Sequence, residues 1–278
     1  MTAATQILPP HIKTLAVLML LSACGSSGGD DGDGSTVIVD GGDGDGPAES
    51  YWDWQLTEPF NLSRDLQVID LDPDSVSAGQ VATLNSKGIK TICYVSIGTL
   101  EDYRDDIDDF PASVIGNVYD DWPDEHFLDV REIAILTPLM QARFQRCKDM
   151  GFDAIEPDNM DVHENNSGFN ISQSDMVDYI RALAGVAHGM GLEYAQKNVS
   201  DLTAQLINTS DFVITESCYQ DNWCNEVMAY SAAGKDILDA EYTDRPIDFE
   251  TACGFAANND IKMILKDRDL TSQLKTCG

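Results

Sequence analysis

Eight short strand-like runs, spaced along a single stretch of chain and separated for the most part by helical patterns, constrain this sequence more than any other feature. They are Trp52 to Leu56, Gln67 to Leu71, Thr91 to Ile97, Ala154 to Pro157, Glu193 to Lys197, Phe212 to Thr215, Ile237 to Glu241 and Ile261 to Leu265. Between them lie amphipathic stripes. Leu136, Met140, Phe144 and Cys147 share one helical face that stops at Gly151. Val177, Ile180, Leu183, Ala184 and Ala187 share another, with Ser172 and Asp175 spaced as a capping box and Gly189 and Gly191 ending it. Strand and helix in alternation over about 230 residues specify an α/β protein, a single (β/α)8 TIM barrel formed by residues 51–278. An open doubly wound sheet is the rival architecture. No Gly-x-Gly-x-x-Gly or phosphate-binding loop follows any strand, which disfavours it.

The N-terminal 50 residues do not belong to that rhythm. Residues 1–23 carry a weakly basic start, His11 and Lys13, and then the apolar run Thr14 to Leu21. That run is far shorter than the roughly 20 residues of a membrane span, so it reads as a signal peptide. It ends in Leu21-Ser22-Ala23-Cys24-Gly25, which resembles the lipobox of bacterial lipoproteins and implies lipidation at Cys24. Ser26, rather than Asp, then favours the outer membrane or cell surface. Residues 24–50 are the lipidated cysteine and an acidic Gly, Ser and Asp tether, too poor in apolar residues to fold. As a flexible coil it reaches about 28 Å. The Asp-Gly pairs do not make an EF-hand, because no acid closes the loop after Asp31-Gly32-Asp33-Gly34-Ser35.

Setting Cys24 aside leaves an even number of cysteines in an exported chain, which implies disulfides. Sequence neighbourhood pairs Cys218 with Cys224 and Cys253 with Cys277, leaving Cys93 with Cys147. A metal site is disfavoured: there is no Cys-x-x-Cys, and His126, His163 and His188 are scattered.

The chemistry is concentrated where strands run out. In Phe152-Asp153-Ala154-Ile155-Glu156-Pro157-Asp158-Asn159 an apolar strand runs into two acids, and alternation puts Ala154, Glu156 and Asp158 on one side. Trp54 and Gln55 end the first strand, Asp70 and Asp72 the second, Tyr94 and Ser96 the third. Gln196, Lys197 and Asn198 end the fifth, Glu216 the sixth, Glu241 and Tyr242 the seventh. Barrel enzymes keep their active sites at this rim.

The segments Asp53-Trp54-Gln55-Leu56, Cys93-Tyr94-Val95-Ser96-Ile97-Gly98, Glu156-Pro157-Asp158-Asn159-Met160-Asp161, Gln196-Lys197-Asn198 and Glu216-Ser217-Cys218 together resemble glycoside hydrolase family 114, the endo-α-1,4-polygalactosaminidase group. The resemblance covers essentially the whole barrel. It implies endo-hydrolysis of α-1,4-linked galactosamine-containing polysaccharide without metal or organic cofactor, and it maps the catalytic pair to Asp158 and Glu216. Trp54, Gln55, Asp70, Tyr94, Ser96, Trp122, Glu156, Asn159, Asp161, Lys197, Asn198, Glu241 and Tyr242 are then the candidate substrate contacts. Cleavage needs one protonated and one ionised carboxyl group. By analogy with barrels whose fourth-strand Asp attacks α-galactosides, Asp158 is expected as nucleophile and Glu216 as acid/base. Glu156 is expected to orient Lys197 or Asn198. One departure stands at Val162-His163-Glu164, where the family pattern has a Gly-aromatic pair; His163 is expected on a solvent-facing loop, with sugar contact as the alternative.

A formal net charge of -31 excludes a nucleic-acid partner and suits a polycationic substrate, although adaptation to salt gives the same sign. Residues 101–129 mix Asp102, Asp105, Asp106, Asp108 and Asp109 with Tyr103, Phe110, Tyr119 and Trp122. That mixture predicts a binding wall in which aromatic faces stack on sugars and acids meet amines. The chain is expected to act as a monomer that meets the membrane only through its lipid. A non-catalytic carbohydrate-binding surface lipoprotein is the alternative of a different class, and a glycosidase for a different α-linked exopolysaccharide the alternative within it.

Overall fold

The computed structural model describes residues 51–120 and 122–277. The expected leader, lipobox, Cys24 and tether lie outside them.

Every one of the eight expected strands is present. In chain order the elements begin β1 (Trp52–Gln55), β2 (Val68–Leu71), α1 (Ala78–Ser86) and β3 (Lys90–Ser96). An excursion follows with β4 (Thr99–Glu101), β5 (Ile115–Tyr119) and β6 (Trp122–Leu128), and then come α2 (Ile133–Met150) and β7 (Ala154–Asp158). The second half runs α3 (Gln173–Gly189), β8 (Glu193–Lys197), α4 (Thr203–Leu206), β9 (Phe212–Glu216), α5 (Ala229–Ala232), β10 (Ile237–Tyr242), α6 (Phe249–Asn259), β11 (Ile261–Lys266) and β12 (Lys275–Thr276). The order β1-β2-β3-β7-β8-β9-β10-β11 is parallel throughout, and the short β12 adds antiparallel to β11. The sheet is strongly curled. Its seam is bridged by Trp52 Nε1 donating to Lys262 O at 2.7 Å, by Leu56 N donating to Leu270 O at 2.9 Å, and by a fully buried Lys266–Asp53 ion pair at 2.8 Å.

Residue alternation sorts the strands into two cores. Trp52, Trp54, Val68, Ile92, Ala154, Ala195, Ile214, Ala240 and Tyr242 fill the interior. Ile69, Leu71, Cys93, Val95, Ile155 and Tyr194 point the other way and meet the helices. The helices follow their sequence signals. Ser172 and Asp175 form the expected capping box, the buried face of α3 includes Val177, Ile180, Leu183, Ala184 and Ala187, and Gly151 ends α2 with a φ of 96°. All three expected disulfides form: Cys93–Cys147 ties β3 to α2, Cys218–Cys224 closes the loop after β9, and Cys253–Cys277 pins β12 to α6.

Residues 101–129 are more ordered than an extended loop. They contribute to a separate antiparallel sheet of order β4-β6-β5 that stands beside the rim. Among the described residues no helix is long and apolar enough to cross a membrane.

Candidate active site

Inward parity brings the chemistry together. Counting in twos from Ala154 reaches Glu156 and Asp158; from Ala195 it reaches Lys197; from Phe212 and Ile214 it reaches Glu216; from Ala240 it reaches Tyr242. The chain then turns sharply after three of these strands through left-handed residues, Asn159 (φ 59°), Asn198 (φ 50°) with Val199 (φ 37°), and Ser217 (φ 56°). Asn accepts that conformation easily, but a β-branched residue does not, so Val199 is held there by its surroundings. These turns leave Asp158, Lys197 and Glu216 at the rim. Gly98 is required by the same construction, because a Cβ there would lie 1.8 Å from Asn159 O.

Lys197 is the hub. Its buried Nζ lies 2.7 Å from Asp158 Oδ1, 2.9 Å from Glu156 Oε1 and 3.2 Å from Glu216 Oε2, and 4.5 Å from the centre of the Trp54 ring. Burial alone would lower its pKa, but Asp158, Glu156 and Glu216 raise it well above the ordinary lysine value. Glu216 accepts from Tyr242 Oη at 2.5 Å and from Asn198 Nδ2 at 3.0 Å, while Asn198 Oδ1 accepts from Glu216 N at 2.9 Å. Burial pushes the Glu216 carboxyl up, yet Lys197, Tyr242 and Asn198 outweigh it and hold the group below the ordinary glutamate value. Asp158 accepts from Tyr94 Oη at 3.1 Å as well as from Lys197. Burial, then repulsion from Asp158, raises the Asp161 carboxyl.

Above this floor opens a cavity of about 620 Å³. Trp54, Tyr94, Asp158, Asn159, Asp161, Lys197, Asn198, Glu216 and Tyr242 line it, as expected from the sequence, and Trp122 joins them from β6. The predicted wall is there in altered form. Tyr103, Tyr119 and Trp122 face the cavity, and its acids are Glu101, Asp124 and Glu125. Asp106 is bound to Arg143 at 2.7 Å, and Phe110 is buried in the core beneath that arginine. Arg104 braces the wall by binding Glu101, Asp72 and Asp74 at 2.7, 2.9 and 2.6 Å, and Glu101 in turn accepts from Tyr103 Oη at 2.6 Å. Glu125 accepts from Thr99 Oγ1 at 2.5 Å, but burial dominates and pushes its carboxyl up to about 7.

Several expected substrate contacts are supporting groups instead. Gln55 and Glu241 have the opposite strand parity and point away from the interior. Gln55 bonds Asp53 and Asn61, and Glu241 accepts from Tyr219 N at 2.7 Å and Gln220 N at 3.0 Å, fixing the loop after β9. Ser96 is fully buried between Thr99 and Asn159. Asp70 and Glu156 are fully buried in the floor beneath Lys197. His163 is neither solvent-facing nor in the cavity: its side chain is 4% exposed, with Nε2 3.3 Å from Asp201. The segment Arg268 to Thr271 lines the cavity and was missed, although it follows the last strand at the same rim.

Two groups of potential metal ligands occur among the described residues. The sulfurs of Cys218 and Cys224 are tied in a disulfide. In the cluster of His163, Glu164 and Asp201, the other ring nitrogen of His163 has no hydrogen-bond partner, whereas a metal-bound imidazole normally has one.

A curled parallel barrel with paired carboxylates, a lysine and aromatic faces around an open cavity at its carboxyl rim is the arrangement of a barrel enzyme, and paired carboxylates are what glycoside hydrolysis requires. The model of glycoside-hydrolase family GH114 matches residues 40–278, and the chain belongs to that family. The crystal structure of Aspergillus fumigatus Ega3 in complex with galactosamine is similar at 28% identity and a TM-score of 0.77, over 82% of this chain and 95% of that one. The glycoside hydrolase domain of PelA from Pseudomonas aeruginosa shares the fold at 14% identity and a TM-score of 0.63, over 83% of this chain and 99% of that one. No curated protein matches the sequence.

Proposed function

We propose that this chain is an endo-acting hydrolase of α-1,4-linked galactosamine-containing polysaccharide, working through Asp158 and Glu216. The observation that carries the reading is the shared contact of both carboxylates with Lys197 Nζ at the base of an open cavity. Asp158 Oδ1 and Glu216 Oε2 both touch one nitrogen, at 2.7 and 3.2 Å, so these two oxygens stand no more than about 6 Å apart, closer to the roughly 5–5.5 Å of a retaining pair than to most of the 6.5–9.5 Å range of an inverting one. That spacing supports retention through a covalent glycosyl–enzyme intermediate. The open cavity suits internal cleavage of a polymer, and an acidic wall with exposed aromatic faces suits a chain of cationic sugars. Galactosamine bound to the similar fungal protein supports the same sugar class.

In this assignment Asp158 attacks the anomeric carbon while Glu216 protonates the leaving oxygen and later activates water. Glu216 is held ionised in the free protein, so the sugar must loosen its contact with Lys197 or Tyr242 before it can carry the proton. In the swapped assignment the sugar must instead loosen the contact of Asp158 with Lys197 or Tyr94, and azide separates the two. With an activated α-glycoside, Glu216→Ala is expected to regain turnover in azide and release the α-azide, while Asp158→Ala is not. An α-azide from Asp158→Ala, or a β-azide from Glu216→Ala, reverses the roles. Oligosaccharides released from partially de-N-acetylated galactosamine polymer and read by mass spectrometry test the activity itself. Binding without product across the accessible pH range refutes it.

The proposed placement in the cell is as a lipoprotein tethered through Cys24, with a signal peptide at 1–23, a spacer to residue 50 and the barrel from 51. Mass spectrometry of the N-terminal peptide checks it: an acylated Cys24 is expected, and an unmodified one removes the anchor.

A further inference from the structure

Asp70 and Glu156 are the most deeply buried ionisable groups beneath the site, and the reaction does not use them directly. They sit on β2 and β7, the two strands that flank β3, and both point inward under Lys197. Neither Asp70 oxygen has a hydrogen bond from an N–H or O–H donor, and Glu156 has Lys197 Nζ above it at 2.9 Å from Oε1. The two carboxyl groups are, however, within hydrogen-bonding reach of each other. Two ionised carboxylates in that arrangement repel and leave buried acceptors unsatisfied. A single proton between them satisfies both.

We propose that Asp70 and Glu156 hold one shared proton in the floor of the barrel, and that this proton positions Lys197 between Asp158 and Glu216. The inference rests on the glycosidase reading of the site above it. The charges facing the pair are Lys197 from β8 and Asp158 from β7, while Glu216 from β9, Tyr94 from β3 and Trp54 from β1 complete the surroundings of the lysine and of Asp158. With the proton in place, the floor carries one negative charge and Lys197 is shared upward with the reacting carboxylates. Without it, the floor carries two, and the lysine is drawn down toward Glu156. Burial, assisted for Asp70 by repulsion from Glu156, raises both groups, Glu156 to about 7 and Asp70 well above the ordinary aspartate value. Asp70 and Glu156 are thus positioning residues, and their signature is in the pH profile.

Asp70→Asn tests it, because the amide donates permanently to Glu156 and cannot lose the proton. In the parent, kcat is expected to fall about tenfold per pH unit above the titration of the pair, with KM little changed. In the variant this alkaline limb is expected to vanish or move up, so the variant-to-parent ratio of kcat rises about tenfold over the first full unit. A ratio that stays constant with pH overturns the proposal. Infrared difference spectroscopy gives a readout that needs no turnover. Glu125 and Asp239 also carry raised carboxyls, so the expected signal is a protonated carboxylic C=O band at about pH 6 that disappears on alkaline titration in the parent and is missing from both Asp70→Asn and Glu156→Gln; a parent band unchanged in both variants overturns the proposal. If the polymer is never cleaved while the band is present, the glycosidase reading fails and the shared proton stands.

Discussion

Replacing Lys197 with Met removes the cation shared by Glu156, Asp158 and Glu216 while keeping an unbranched apolar chain against Trp54. The three contacts lie between 2.7 and 3.2 Å on a side chain that is 3% exposed. At an effective dielectric of about 20, each is worth about 5 kcal/mol of gross attraction. Most of that offsets the desolvation of the ammonium. Deleting one partner of a buried network therefore costs about 3–5 kcal/mol, since it leaves unpaired charge behind. For a domain of this size the loss corresponds to a fall in Tm of about 6–20 °C at pH 7.

The pH dependence fixes the mechanism. Glu216 has a folded-state pKa below the ordinary glutamate value of 4.5, so its contribution is present above that value and lost as pH falls through the lowered one. Lys197, raised above 10.5, contributes its share below that value and loses it only as pH rises through its folded-state pKa. Without the lysine, the carboxylates neutralise by taking up protons, which acid supplies. The difference between parent and Lys197→Met is therefore largest near neutrality and shrinks toward pH 4. Urea denaturation at pH 7, 5.5 and 4 measures it. A difference under about 1 kcal/mol at pH 7, or one that does not diminish in acid, refutes the hub.

Glu125, with its carboxyl at about 7, gains its charge only above neutrality. On a polycationic substrate whose amines are quaternised, and so keep their charge at every pH, Glu125→Gln is expected to raise KM severalfold at pH 8 and hardly at all at pH 5.5, judged as a ratio to the parent. Gly98→Ala drives a methyl group into the backbone oxygen of Asn159 and the side chain of Val162. It is expected to destabilise by more than about 2 kcal/mol and to lower activity by displacing Asn159, read from chemical denaturation together with kcat.

Much of this molecule is legible without coordinates. Short strand runs, the Ser172–Asp175 cap, the terminating Gly151 and the nearness in sequence of Cys218 to Cys224 are local signals, carried by backbone preferences and chain connectivity. The placement of Asp158, Lys197 and Glu216 at strand ends is equally local, because a strand that runs out at a barrel rim presents its last inward residue to the cavity. Gln55 and Glu241 show where this stops. Parallel barrel strands are buried on both faces, so their sequences are nearly continuous apolar runs that do not mark which of two neighbouring polar residues points inward. Only the curled sheet assigned Trp54 and Tyr242 to the interior, and Gln55 and Glu241 to the other face.

The wall and the floor needed the tertiary structure for a second reason: their character depends on partners far away in the chain. The acids of residues 101–129 look alike in sequence, yet Arg143 from α2 binds Asp106, while Glu101 and Glu125 remain at the cavity. Asp70 and Glu156 are separated by most of a half-barrel of sequence and meet only because β2 and β7 both flank β3. The sequence by itself determined which acids this protein owns and where its strands end. The tertiary structure decided which of them are charged, because protonation follows burial and neighbours, and both are properties of the closed barrel rather than of any segment of chain.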